Sequence, residues 1–128
     1  MGVSYKMRKN EYNNLNEFIY EYDSGRAGST EKQGRKYMGI EFLYHNIYYR
    51  MCREPLPDNE RPVLPNGKLG VYNVTIMHCV SQGYPLADKF ESIGWYSDIY
   101  DLLKNCCIEG ISFEVVIMAD DTVILSKD

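Results

Sequence analysis

The chain of 128 residues lacks any long apolar run; the longest near its C-terminus, 115–119, falls far short of the ~20 residues a helix needs to cross a bilayer. It also lacks an export signal, because residues 1–10 hold no apolar stretch of the required kind, so the expected compartment is the cytoplasm. Myristoylation is excluded: Met1-Gly2 is followed by Lys6 where the motif needs Ser or Thr. Basic residues are outnumbered, 14 against 18 acidic ones, giving a net charge of −4 and a pI near 5.2. No general field therefore draws phosphate backbones, and nucleic acid is disfavoured as a partner. Lys6, Arg8 and Lys9, and later Arg35 and Lys36, form only short basic runs of the sort found on solvated faces.

Cysteine is limited to four residues with no C-x-x-C pair, and in a reducing compartment all four are expected to be free thiols. Cys52 and Cys79 fall in strand-like segments, where Cys serves as a small buried apolar group. Cys106 and Cys107 close a helical pattern. Asn73-Val74-Thr75 has the form of a glycosylation sequon, yet it lies inside a strand pattern and is expected to be inert.

What is present is one domain's worth of alternating structure. Tyr12, Leu15, Phe18, Ile19 and Tyr22 recur at spacings of three and four, which predicts an amphipathic helix over 10–23 with Asn10 as its cap. Residues 1–9 are expected to be a flexible terminus and 25–35, which lack any large apolar residue, a mobile loop. Residues 38–53 fit helical spacing as well as strand chemistry, but their Ile, Phe and Tyr content favours strands. His45-Asn46 then serves as a two-residue turn, pairing Phe42 with Tyr49, Ile40 with Met51, Glu41 with Arg50 and Leu43 with Tyr48. Four prolines make 54–65 irregular, and Asn66-Gly67 marks a turn. A third strand is expected over 69–80.

Two helical pieces are predicted next, over 86–93 and 97–106, broken at Gly94 and with Ser97 capping the second. Strands over 111–119 and 122–126 follow, joined by a turn at Asp120-Asp121. The fold class expected is α+β, a single domain of order α-β-β-β-α-β-β with a mainly antiparallel sheet of about five strands and both helices on one face. The helix–three-strand–helix beginning resembles a double-stranded-RNA-binding domain in element order alone; the acidic balance and the absence of a basic helix start oppose that use.

Each catalytic constellation has a simpler structural reading. His78 and Cys79 with Cys106 and Cys107 suggest zinc by composition, but neighbouring strand residues point to opposite faces, so no metal site is expected. His45 and His78 are the only bases for a Cys nucleophile, and no motif sets either beside a thiol. Asp98 and Asp101 suit a helix start, and Asp120 and Asp121 suit a turn. Gly28 to Arg35 departs from the P-loop pattern in glycine spacing and in its last two residues. No catalytic residue and no cofactor is therefore assigned.

Tyrosine is the unusual component, 12 residues against 4 Phe and 1 Trp. Tyr44, Tyr49 and Tyr72 are expected to pack in the core. Tyr48 is expected on the outer face of the hairpin beside Leu43 and Arg50, a composition suited to partner binding. Two functions remain: a non-catalytic module that binds another protein or self-associates, and a small-molecule-binding domain with a Tyr- and Met-lined pocket between sheet and helices, a place open to enzymatic activity of an unassigned class.

Overall fold

The computed structural model describes residues 10–22, 37–79 and 87–128. Residues 1–9 and 25–35 thus lie outside the described residues, as does the basic cluster they contain.

The first helix, α1 (Leu15–Tyr22), starts five residues later than its apolar spacing suggests. Asn14 caps it by accepting from the Glu17 N–H at 3.2 Å, while the Glu17 carboxylate accepts from the Asn13 N–H at 2.8 Å. Asn10 has another task. Its buried amide accepts from the Tyr12 N–H and donates to the carbonyls of Ile117 and Ala119, at 2.5 and 3.0 Å, pinning the chain before α1 to the far end of the sequence.

Strands β1 (Gly39–Tyr44) and β2 (Ile47–Arg53) form the expected hairpin in the expected register, Phe42 opposite Tyr49 and Glu41 opposite Arg50. Its turn works because His45 and Asn46 both adopt the left-handed region, φ 50° and 68°, as a turn matching strand twist requires. Ile40, Phe42, Tyr49 and Met51 are buried on one side, and Glu41, Leu43, Tyr48 and Arg50 are half-buried on the other. The proline-rich connection is irregular apart from a 3-10 turn at Asp58–Glu60 and an isolated antiparallel bridge between Val63 and Leu69, and Gly67, φ 84°, closes the Asn66-Gly67 turn.

β3 (Tyr72–Cys79) pairs antiparallel with β2 and with β4 (Ala87–Tyr96). β4 corrects the helix predicted over 86–93. Two register shifts explain the difference: Ile93 is extra between Ser92 and Gly94, and Asp88 is extra between Ala87 and Lys89. Each bulge resets the alternation of faces, so the period of two is lost and apolar residues fall at helix-like intervals. Among the described residues a fourth strand thus stands where the second helix was expected, and the resemblance to a double-stranded-RNA-binding domain in element order ends there.

α2 (Ile99–Asn105) is capped by Asp98, not Ser97. Asp98 accepts from the Asp101 N–H at 2.8 Å, and the Asp101 carboxylate accepts from the Ser97 N–H, the same reciprocal arrangement as at α1. Burial works against the Asp101 carboxylate, but bonds from the Ser97 backbone, the Asn105 side chain and the Ser97 hydroxyl overcome it and hold its pKa below the usual value. A tight hairpin follows, β5 (Cys107–Ile108) and β6 (Ile111–Ser112), turning at Glu109-Gly110.

The strand predicted over 111–119 is likewise corrected: after β6 comes a single helical turn, α3 (Phe113–Val116). Phe113, Val116 and Ile117 are all buried, a spacing of three and four that serves a helix face, while Val115 is exposed. The β-branched residues favoured a strand, and packing overrode that preference. Thr122 accompanies the end of α3, its hydroxyl donating to the Val116 carbonyl at 2.6 Å. β7 (Val123–Lys127) then pairs with β1.

The sheet runs β4-β3-β2-β1-β7, every pair antiparallel, giving the α+β domain of about five strands that the pattern predicted. Among the described residues, α1, α2 and α3 share one buried cluster with the strands, so these helices cover one face. Phe18, Tyr22, Phe42 and Phe113 interlock there; Phe42 stacks on Tyr49 at 5.4 Å between ring centres and meets Phe113 edge-on at 5.8 Å.

Candidate functional site

The cross-strand registers place Glu41 and Leu43 of β1, Tyr48, Arg50 and Cys52 of β2, Thr75 and Met77 of β3, and Phe90 of β4 on the face opposite the helices. The three residues assigned to partner binding, Leu43, Tyr48 and Arg50, lie together on it. Leu43 and Tyr48 are direct cross-strand neighbours and both are half-buried.

Arg50 organises the middle of this face. Its Nε lies 3.9 Å from Glu41 Oε2, an Nη donates to Cys52 Sγ at 3.7 Å, and its guanidinium stands 5.7 Å from the centre of the Phe90 ring. The side chain thus reaches from β2 across β3 to β4, in the neighbourhood of Thr75, Cys52 and Met77, which are buried. Phe90 is 49% exposed. A planar cation held against an aromatic ring is fixed in position while its outer side remains able to accept a carboxylate or a further ring. Sequence reasoning missed Phe90, since it lay in the segment read as helix; the bulges on either side hid the alternation that marks it.

The core tyrosines are placed as expected: Tyr44, Tyr49 and Tyr72 are buried. Tyr22 donates to the Gly39 carbonyl at 3.0 Å, and Tyr72 to the Tyr22 carbonyl at 2.7 Å. The space between sheet and helices, where a ligand pocket was the second expectation, is filled by Phe18, Tyr22, Phe42, Tyr72 and Phe113, each fully buried. A depression of about 360 Å³ lies elsewhere, beside α1, lined by Glu11, Glu17, Glu21 and Tyr20 among others. Those carboxylates are already engaged: Glu17 accepts from Asn13, and Lys127 Nζ pairs with Glu11 and, at 3.1 Å, with Glu21, and stands 4.7 Å from the centre of the Tyr12 ring. Burial works against the Lys127 charge, but its two carboxylates prevail and raise its pKa.

The histidines serve turns and strand ends. His45 stacks on Tyr44 and sets Nδ1 2.9 Å from Glu109 and Nε2 3.8 Å from Asp121, so three turns meet at one imidazole. His78 Nε2 lies 2.9 Å from Glu91. Asp98, Asp101 and Asp121 are likewise taken up by a cap and a turn contact.

Cys52 and Cys106 are buried free thiols and Cys107 is an exposed one. Burial, above all, pushes the Cys106 thiol up to about 11, against the opposing effect of its bond with Tyr96. Alkylation of the native protein is accordingly expected to label Cys107 well before Cys52 and Cys106. Titration in denaturant without reductant should reach about four thiols per chain; a count near two would mean an oxidised pair and would weaken the cytoplasmic expectation.

No helix among the described residues is long and apolar enough to cross a membrane. No family model, curated protein or solved structure matches this chain.

Proposed function

We propose that this chain is a non-catalytic protein-interaction module of the cytoplasm that grips its partner with the outer face of the sheet, through Leu43, Tyr48 and Arg50. The observation that carries this reading is the side-by-side placement of an aliphatic–tyrosine pair and an aromatic-backed arginine on the face away from all three helices. Tyr and Arg dominate binding hot spots because each presents a rigid, wide contact with polar ends. The filled space beneath the helices favours this reading over a ligand chamber at that place.

The test is the double variant Leu43→Ala with Tyr48→Ala. It is expected to keep the melting temperature close to that of the parent while binding to the partner weakens by a factor of ~30 or more. Immobilised parent and variant are compared side by side for capture from native lysate, with the captured species then titrated in purified form. A variant that unfolds would show both residues to be packing, and an unchanged capture profile would remove the outer face from recognition.

A further inference from the structure

β4 forms one edge of the sheet, and among the described residues it pairs only with β3. Its other side presents the backbone N–H and C=O groups to which an added strand bonds. The bulges at Asp88 and Ile93 bound a regular stretch, 89–92, so an added strand has little freedom of register. A second copy of the chain fits it in one way.

Two identical antiparallel strands related by a two-fold axis must set one residue opposite its own copy. Centred on Lys89 or on Glu91, the pairing sets like charges directly opposite, which destabilises it. Centred on Ser92, it runs into the bulge at Ile93. Centred on Phe90, it places Lys89 of each chain opposite the partner's Glu91, and Phe90 against the partner's Phe90. Lys89, Phe90 and Glu91 are all exposed, as such a contact needs. The Arg50 guanidinium beside Phe90 holds the ring from within its own sheet.

We infer that two copies of this chain associate edge to edge through β4 with Phe90 on the two-fold axis, joining their sheets into one continuous antiparallel sheet. The Arg50–Phe90 contact enters both this inference and the outer-face reading, but the variants that test the two share no residue. The paired stretch is short, so the contact is small and the dimer dissociates readily on dilution.

Sedimentation equilibrium tests it. The parent's mass is expected to rise toward that of a dimer as the concentration approaches ~1 mM. Lys89→Glu and Glu91→Lys each replace two attractive pairs by repulsive ones, and each is expected to weaken association by about tenfold or more with an unchanged melting temperature. Mixed together, the two single variants regain complementarity and should form a heterodimer as strong as the parent's dimer. The double variant carrying both changes should self-associate like the parent. A parent that stays monomeric at ~1 mM overturns the inference. So does a dimer indifferent to both single reversals, or single variants that weaken association yet fail to pair when mixed.

Discussion

Phe42→Ala is expected to lower the free energy of unfolding by about 3 to 5 kcal/mol, the largest single loss at any outwardly ordinary position of the hairpin. Phe42 is fully buried, stacks on Tyr49 and meets Phe113, so its removal empties a volume bounded by β2 on one side and α3 on the other. Neither neighbour can close in freely, because Tyr49 is held in the sheet ladder and Phe113 also packs against Phe18. Its sequence neighbour provides the contrast: Glu41→Ala removes a half-buried charge contact with Arg50 and should cost less than ~1 kcal/mol. Urea melts of both variants check the pair. A Phe42→Ala protein as stable as the parent would mean that the faces of β1 are inverted.

Stability is expected to fall steeply in alkali, beginning near pH 9. Two buried thiols act first, Cys52, raised from 9.0 chiefly by burial, and Cys106. Burial raises the Cys106 pKa from 9.0 to about 11, so the native state keeps a proton that the unfolded chain releases. The stabilisation is complete below pH 9 and is lost as the pH rises to about 11, amounting to roughly 2 to 3 kcal/mol for one such thiol. Tyr12, Tyr22 and Tyr96 act in the same direction, each raised from 10.0 chiefly by burial, and their contributions are lost above pH 10. The urea midpoint should therefore hold steady from neutrality to pH 9 and then drop. Cys106→Ala should reduce the loss between pH 9 and about 11, leaving the fall that Cys52 and the tyrosines produce. A midpoint that stays level to about pH 10.5 would contradict the burial of these groups.

The hairpin was legible in the sequence down to its register because two local facts agreed. His45-Asn46 tolerates the left-handed turn, and folding about it sorts large apolar residues to one face and the Glu41–Arg50 pair to the other. Other segments were illegible for opposite reasons. In β4 the bulges at Asp88 and Ile93 inserted residues that broke the period of two, so a strand imitated a helix, and Phe90 went unnoticed with it. In 113–117 the buried residues kept helical spacing, but a run of β-branched side chains spoke for a strand. Asn10 shows a third limit. A polar residue ahead of an apolar run reads as a cap, and only the tertiary fold reveals that its amide is spent on carbonyls more than a hundred residues away.

β7 brings a kinetic consequence. It pairs with β1 across about two-thirds of the chain; Glu41 and Ser126, bonded across this pair, are 85 of 128 residues apart in sequence. β1 to β4 can zip together through neighbouring segments, each step closing a modest loop, whereas the β1–β7 ladder must close one of the longest loops the chain can make. During synthesis the four-stranded portion and α1 are made first, and β1 waits with one side unpaired until Val123–Lys127 leaves the ribosome. The Lys127 pairings with Glu11 and Glu21, and the Asn10 bonds to Ile117 and Ala119, wait with it. β7 thus acts as the latch of folding, and a nascent chain stalled before it would leave the β1 edge unpaired by β7.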